Sequence, residues 1–86
     1  MVIVWKDYTD YSRDVIEWLR EFNRRTGKEI ESIDPDTKEG IGFCKVYDVV
    51  EYPTLVATTD DGRVLHIWKG RPLPTINEVS FYTKDS

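Results

Sequence analysis

The side chains of this chain that could perform chemistry are few and widely separated. Cys44 is the only cysteine and His66 the only histidine among 86 residues. One cysteine excludes an internal disulfide and a cysteine-rich zinc site, so its thiol is left with intermolecular chemistry alone. A serine nucleophile at Ser12 would need a neighbouring base, and His66 lies far along the chain. We therefore expect no catalytic residue, no metal site and no bound cofactor.

The composition indicates one folded domain spanning residues 1–86. Apolar residues make up 40% of the chain, and three Trp, five Tyr and three Phe can build a core. The net charge is −4 and the pI about 4.9. This balance argues against nucleic acid or an anionic membrane as the partner, because both attract a basic surface. No leader sequence or membrane-spanning run is visible, so the expected location is cytoplasmic.

The start of the chain predicts a strand followed by a helix. The continuous apolar run 2–5 predicts a strand buried on both faces. Apolar spacings of three and four predict a helix over 11–25, capped by Thr9 or Asp10 and stopped at Gly27. The inward stripe of this helix comprises Tyr11, Val15, Trp18, Leu19 and Phe22.

The next segments predict a short strand and a weaker helix. Residues 29–33 alternate as a strand, and a breaker at 34–36 precedes a helix over 37–47. Either of two faces of that helix could point toward the core. One face carries Ile41, Cys44 and Tyr47, and the other carries Phe43 and Val46. Two glycines within it weaken the helical signal.

The last third of the chain predicts a hairpin and a short helix. Strands over 54–59 and 63–69 flank the turn 60–62, where Gly62 supplies a positive φ, and a helix begins at Pro74. The element order is therefore β-α-β-α-β-β-α. The first two strands need a helical crossover and are parallel, whereas the last two are antiparallel. The fold class is α/β, an open four-stranded mixed sheet flanked by helices on both faces.

Two segments carry a resemblance to a known family. Residues 47–56 read Tyr-Asp-Val-Val-Glu-Tyr-Pro-Thr-Leu-Val, and residues 6–12 read Lys-Asp-Tyr-Thr-Asp-Tyr-Ser. The first segment resembles the Tyr-x-Val-x-x-x-Pro-Thr-Leu-Val stretch of the thioredoxin and glutaredoxin superfamily. The second lies where that superfamily has Cys-x-x-Cys, and its two cysteine positions are Thr9 and Ser12. The resemblance implies a thioredoxin-like fold with a glutaredoxin-like minimal core and a cis bond before Pro53.

The resemblance also implies a site from which the redox chemistry has been removed. Thiol–disulfide exchange needs a thiolate, which a hydroxyl cannot replace, so no disulfide oxidoreductase activity is expected. What remains is a non-redox binding module for a protein or an extended peptide. Its groove residues would be Lys6, Thr9, Ser12, Tyr52, Pro53 and Thr54. Two structural alternatives stay open, namely that Thr9 only caps the first helix and that the proline turn only directs the third strand.

Two other functions stay open beside the binding module. The first is a glutathione-dependent or transferase-like enzyme using Ser12 and Lys6, since Lys6 precedes Thr9 as a glutathione-binding lysine precedes the first cysteine of glutaredoxins. The Gly-Gly segment that holds glutathione in those proteins has no clear counterpart here. The second is a single-thiol redox sensor through Cys44, although helical spacing with Ile41 and Tyr47 predicts that this thiol is buried.

Overall fold

The order of elements in the computed structural model, which describes residues 1–83, is the predicted β-α-β-α-β-β-α. The elements are β1 (Val2–Val4), α1 (Ser12–Thr26), β2 (Glu31–Ile33), α2 (Lys38–Tyr47), β3 (Thr54–Thr58), β4 (Val64–Lys69) and α3 (Ile76–Phe81). Among these described residues the chain is a mixed α/β structure with one four-stranded sheet and three helices. None of the helices in this part of the chain is long and apolar enough to cross a membrane.

The sheet has the strand order β2-β1-β3-β4. Strand β1 pairs in parallel with β2 and antiparallel with β3, and β3 continues antiparallel to β4. Val2, for example, lies between Glu31 of β2 and Val56 of β3. The apolar run at the start of the chain is therefore an interior strand, as predicted, and the expected parallel and antiparallel pairings are confirmed.

Alternation along β1 and β3 builds one apolar cluster on each face of the sheet. Ile3 and Leu55 face α1 and α3, whereas Val4 and Val56 face α2. On the α1 face the buried cluster comprises Ile3, Tyr11, Val15, Phe22, Leu55 and Val79. On the α2 face it comprises Val4, Val49 and Val56. The prediction of helices on both faces is confirmed.

The predicted cap of α1 is wrong. The N-cap residue is Tyr11, and its side chain makes no capping hydrogen bond. The Thr9 hydroxyl instead donates to the Lys6 carbonyl, and the Thr9 carbonyl accepts from Ser12, so Thr9 closes the turn before the helix. At the other end the predicted stop is confirmed, because Gly27 adopts φ 72° and its N–H bonds to the Asn23 carbonyl at 2.8 Å.

Helix α2 is rotated relative to both predicted inward faces. Its buried residue is Gly40, and the partly buried side chains that follow are Phe43, Cys44 and Tyr47, whereas Ile41 and Val46 are exposed. The cause is a close backbone contact, because a Cβ at Gly40 would lie 1.9 Å from the Asp34 carbonyl oxygen. A glycine read as a weakness in the sequence is thus the point at which the helix docks.

Helix α3 begins at Ile76 instead of the predicted Pro74. Thr75 is its N-cap and accepts a hydrogen bond from the Glu78 N–H at 3.1 Å, and the two residues form the Thr-x-x-Glu pattern of a capping box. This pattern outweighs the preference of proline for the first helical turn. Pro74 lies in the loop before α3. Elsewhere, β2 is shorter than predicted by two residues at its start, and β3 by one residue at its end.

Candidate functional site

The polar groups at the head of α1 are bonded to the backbone around them. The Thr9 hydroxyl donates to the Lys6 carbonyl at 3.0 Å, and the Ser12 hydroxyl donates to the Thr9 carbonyl at 2.9 Å. The Tyr11 hydroxyl accepts from the Lys6 N–H at 3.0 Å. A hydroxyl has one proton to donate, so both Thr9 and Ser12 already use theirs within the turn.

Lys6 and Tyr52 meet beside this turn. The Lys6 ammonium lies 3.2 Å from a carboxylate oxygen of Asp36 and 5.8 Å from the centre of the Tyr52 ring. The hydrogen bond with Asp36 raises the pKa of Lys6. Burial raises the pKa of Tyr52, and the neighbouring Cys44 thiol adds to that shift. The Lys6 charge is therefore already partnered by a carboxylate and an aromatic face.

Pro53 and Thr54 are buried at the start of β3. The Thr54 hydroxyl donates to the Glu51 carbonyl at 2.6 Å, and the Pro53 carbonyl accepts from the Gly70 N–H at 2.8 Å. The Tyr52–Pro53 peptide bond is cis, as is Arg71–Pro72. Of the six residues predicted to form the site, Pro53 is the one that lines the groove described next.

That groove runs along one flank of α1 and has a volume of about 700 Å³. Its base is formed by Tyr11, Val15 and Pro53, which are buried. One wall is α1, and the opposite wall is the segment 71–76 between β4 and α3. The remaining lining residues are Asp14, Glu17, Trp18, Glu21, Arg71, Pro72, Leu73 and Ile76. We call it the α1 groove.

Long-range contacts fix the second wall of the α1 groove. The Trp18 indole N–H donates to the Pro74 carbonyl at 2.8 Å and joins the two walls. At the end near the α1 head, the Arg71 guanidinium lies 3.6 Å from an Asp10 carboxylate oxygen and 6.0 Å from the centre of the Tyr11 ring. Gly70 turns the chain into this wall with φ 69°. The groove is therefore built by the fold before any ligand arrives.

Carboxylates line the α1 wall. Asp14 and Glu17 are exposed, and no salt bridge joins either to another of residues 1–83. Glu21 is different, because it accepts from Arg24 at 2.6 Å and from Arg25 at 2.7 Å. These two guanidinium groups lower the pKa of Glu21. The rim of the groove thus carries two carboxylates without a salt-bridge partner among residues 1–83, beside aromatic side chains.

Cys44 lies on the other side of Tyr52, on the α2 face. Its thiol packs against the Val4, Val49 and Val56 cluster, as the prediction of a buried thiol implies, but it is only partly buried. The rotation of α2 at Gly40 explains the difference, because it exposes Ile41 and brings Cys44 to the margin of the cluster. Cys44 lines a shallower depression of about 350 Å³, with Tyr52 at its end.

His66 does not form a catalytic arrangement with Ser12. The imidazole is exposed on β4 and packs against the rings of Trp68 and Tyr82, at centroid distances of 4.5 and 5.4 Å. The Ser12 hydroxyl bonds to a backbone carbonyl. Within residues 1–83, no group of three or more His, Cys, Asp or Glu side chains could hold a metal ion.

The second wall of the groove was not predicted from the sequence. Arg71, Pro72 and Leu73 were not assigned to any site, although the prolines at 72 and 74 disfavour a continuous strand or a helix interior over that segment. Two prolines within the four residues after Gly70 are a signal for a rigid connection of fixed shape. The contact between Trp18 and Pro74 could not be predicted from the local sequence pattern, because these two residues are more than fifty positions apart.

Comparison with known proteins finds no match, either among the models of protein families or among curated proteins. The assignment of a function therefore depends on the geometry of the groove and on the chemistry of its lining.

Proposed function

We propose that this chain is a non-redox member of the thioredoxin and glutaredoxin superfamily that binds an extended peptide segment in the α1 groove. The element order and the strand order β2-β1-β3-β4 support the thioredoxin-like arrangement. The Tyr-Pro-Thr turn into β3 supports the resemblance to this superfamily. The Thr9 and Ser12 hydroxyls at the head of α1 support the loss of redox function, because they stand where two thiols would be needed.

The observation that carries the proposal is the groove itself. Its volume of about 700 Å³ falls within the roughly 300 to 1,000 Å³ of most ligand sites. The lining combines aromatic and aliphatic side chains with a few charges, as binding surfaces do. Pro53 joins this groove to the turn predicted as the contact surface. The bound segment would contact Tyr11, Trp18 and Leu73. Lys6, Thr9 and Ser12 close the turn before α1, and Thr54 closes the turn before β3.

The enzyme alternative is less well supported by the same residues. A serine-type or glutathione-dependent transferase would use Ser12 and Lys6, but Ser12 donates to a backbone carbonyl and Lys6 is paired with Asp36. Glutathione carries a net negative charge, and the exposed carboxylates of Asp14 and Glu17 would repel it at the groove. These carboxylates would not repel a neutral or cationic ligand.

The single-thiol alternative is favoured by one observation, which is the partial exposure of Cys44. A sensor thiol must be reachable by its oxidant or partner. The thiol does not line the α1 groove, so the two functions would occupy opposite faces of the sheet and can be tested separately. The peptide proposal remains the stronger, because the α1 groove has about twice the volume of the depression at Cys44.

The test is a binding measurement with matched leucine variants. The probe is an uncharged capped heptapeptide, Gly-Ser-Leu-Gln-Leu-Ser-Gly, titrated by calorimetry. Leu73 lines the groove, whereas Leu65 is half-exposed on β4 and lies outside it. We expect Leu73→Ser to weaken binding about tenfold, because a leucine contact contributes roughly 1 to 2 kcal/mol, and Leu65→Ser to leave it unchanged. Equal losses in both variants, or no binding by the native protein, would refute the proposal.

A further inference from the structure

The acidic flank of α1 indicates what kind of peptide the α1 groove prefers. Asp14, Glu17 and Glu21 follow one another at spacings of three and four residues, so they lie along one side of the helix. That side forms the groove wall, since all three line the cavity. Trp18 lies between them at the margin of the apolar cluster. The α1 wall of the groove therefore places the Trp18 indole among carboxylates.

Two of the three carboxylates on this wall have no salt-bridge partner within residues 1–83. Glu21 is held by Arg24 and Arg25, and Arg71 across the groove is paired with Asp10. Asp14 and Glu17 form no salt bridge within residues 1–83. Like charges three residues apart on a helix are mutually unfavourable. A cation bound between them would relieve that repulsion.

Arg13 and Arg20 are the basic residues of α1 that bind no carboxylate of the groove wall in a salt bridge. They line a second depression with Ser12, Ile16 and Glu17, so Glu17 borders both depressions. Neither of these two arginines lines the α1 groove, so the charged side chains that a ligand there meets on the α1 wall are Asp14, Glu17 and Glu21. The charge complement of the groove is a single positive group next to apolar side chains.

We propose that the occupant of the α1 groove is an extended segment of a partner protein in which a lysine or arginine is flanked by apolar residues. This inference rests on the peptide-binding function proposed above. The apolar residues pack on Tyr11, Leu73 and Ile76. The aliphatic stem of the basic residue lies along Trp18, and its charged end reaches Asp14 and Glu17. An indole face adds a cation–π contribution where the charge passes over it.

The experiment compares three peptides that differ at one central position. Capped heptapeptides Gly-Ser-Leu-Xaa-Leu-Ser-Gly, with Lys, Gln or Glu at Xaa, are titrated by calorimetry at low ionic strength. Exposed charge pairs contribute about 0.2 to 1 kcal/mol each. We therefore expect the Lys peptide to bind about threefold to tenfold more tightly than the Gln peptide and the Glu peptide more weakly than either. Added salt should reduce the difference, because both carboxylates are exposed to solvent.

Matched variants locate the preference on the protein. Asp14→Asn combined with Glu17→Gln removes the two groove carboxylates with little change of shape. Glu29→Gln combined with Glu31→Gln removes two exposed carboxylates beside and within β2, on the far edge of the sheet. We expect the first pair to reduce the Lys preference to less than twofold and the second to retain it. Equal losses in the two pairs would assign the effect to net charge and overturn the inference.

The outcomes separate this inference from the function on which it rests. Equal binding of all three peptides would overturn the charge preference and leave peptide binding intact. No binding of any peptide would remove both. If the native protein dimerises and the Asp14→Asn, Glu17→Gln variant does not, then a second copy of the chain occupies the groove, and the proposed partner is wrong.

Discussion

The two faces of the sheet are built in different ways, and the difference explains where a groove can form. On the α1 face, six buried side chains form the core, and the 71–76 segment stands opposite the helix, joined to it by Trp18 and Pro74. On the α2 face three valines form the core, and the helix docks through the backbone at Gly40. Close docking leaves a depression of about 350 Å³, whereas the α1 face keeps an opening of about 700 Å³. On the α1 face, large side chains and a second wall leave room for a ligand. On the α2 face, the backbone contact at Gly40 leaves a smaller depression.

The largest predicted effect tests whether the α1 face carries most of the stability. Phe22 is 1% exposed, so Phe22→Ala should cost about 3 to 5 kcal/mol through lost burial and a cavity. Phe43→Ala makes the same change on the α2 face, where the ring is only partly buried, and should cost clearly less. Urea unfolding of the two variants measures both values. A larger loss for Phe43→Ala would reverse the comparison.

The next prediction tests the docking of α2 with two glycines of one helix. A Cβ at Gly40 would lie 1.9 Å from the Asp34 carbonyl oxygen, whereas a Cβ at Gly42 would meet nothing within 4 Å. Gly40→Ala should therefore destabilise by about 1 to 3 kcal/mol through overpacking. Gly42→Ala should stabilise by about 0.5 to 1 kcal/mol through helix propensity. The free energies of unfolding decide, and similar values for the two variants would rule out docking through Gly40.

A smaller effect is expected at Cys44, and it tests whether the two faces act independently. The thiol is partly buried, so Cys44→Ser should cost about 1 kcal/mol, at the lower end of the range for burying a hydroxyl. Native protein should react with DTNB more slowly than unfolded protein, but completely. The labelled protein should still bind the Leu-Gln-Leu peptide. Loss of peptide binding on labelling would show that the α2 face contributes to the site.

The smallest effect concerns the ion pair at the end of the acidic flank. Arg24 and Arg25 lower the pKa of Glu21 below its ordinary value of 4.5, so the folded state favours the charged carboxylate. Its contribution to stability is present above that ordinary pKa and disappears as the pH falls through the lowered one. The stability difference between native protein and Glu21→Gln should therefore shrink on acidification and at high salt. A difference that grows in acid would contradict the assignment.

The fold could be predicted from the sequence to a larger extent than the site. Local signals predict the apolar stripe of α1, the helix stop at Gly27 and the positive φ of Gly62 in the hairpin turn, and each is confirmed. The stripe comprises Tyr11, Val15, Trp18, Leu19 and Phe22. The rotation of α2 depends on the contact between Gly40 and the Asp34 backbone, which composition cannot reveal. Thr9 was predicted as a cap or a groove residue and Ser12 as a groove residue, because a helix head is consistent with either use. Only the three-dimensional turn shows that they bond to nearby carbonyls.

The central claim is that a peptide lies in the α1 groove, and amide chemical-shift mapping tests it most directly. Isotope-labelled protein is titrated with the Gly-Ser-Leu-Lys-Leu-Ser-Gly peptide, and the shifts of assigned backbone amides are followed. The account predicts that the largest shifts fall on Tyr11 to Glu21 and on the non-proline residues of 71–76, with the amides of α2 unaffected. Shifts concentrated on α2 and the Cys44 depression, or confined to Lys6 to Thr9 with none along α1, would contradict it.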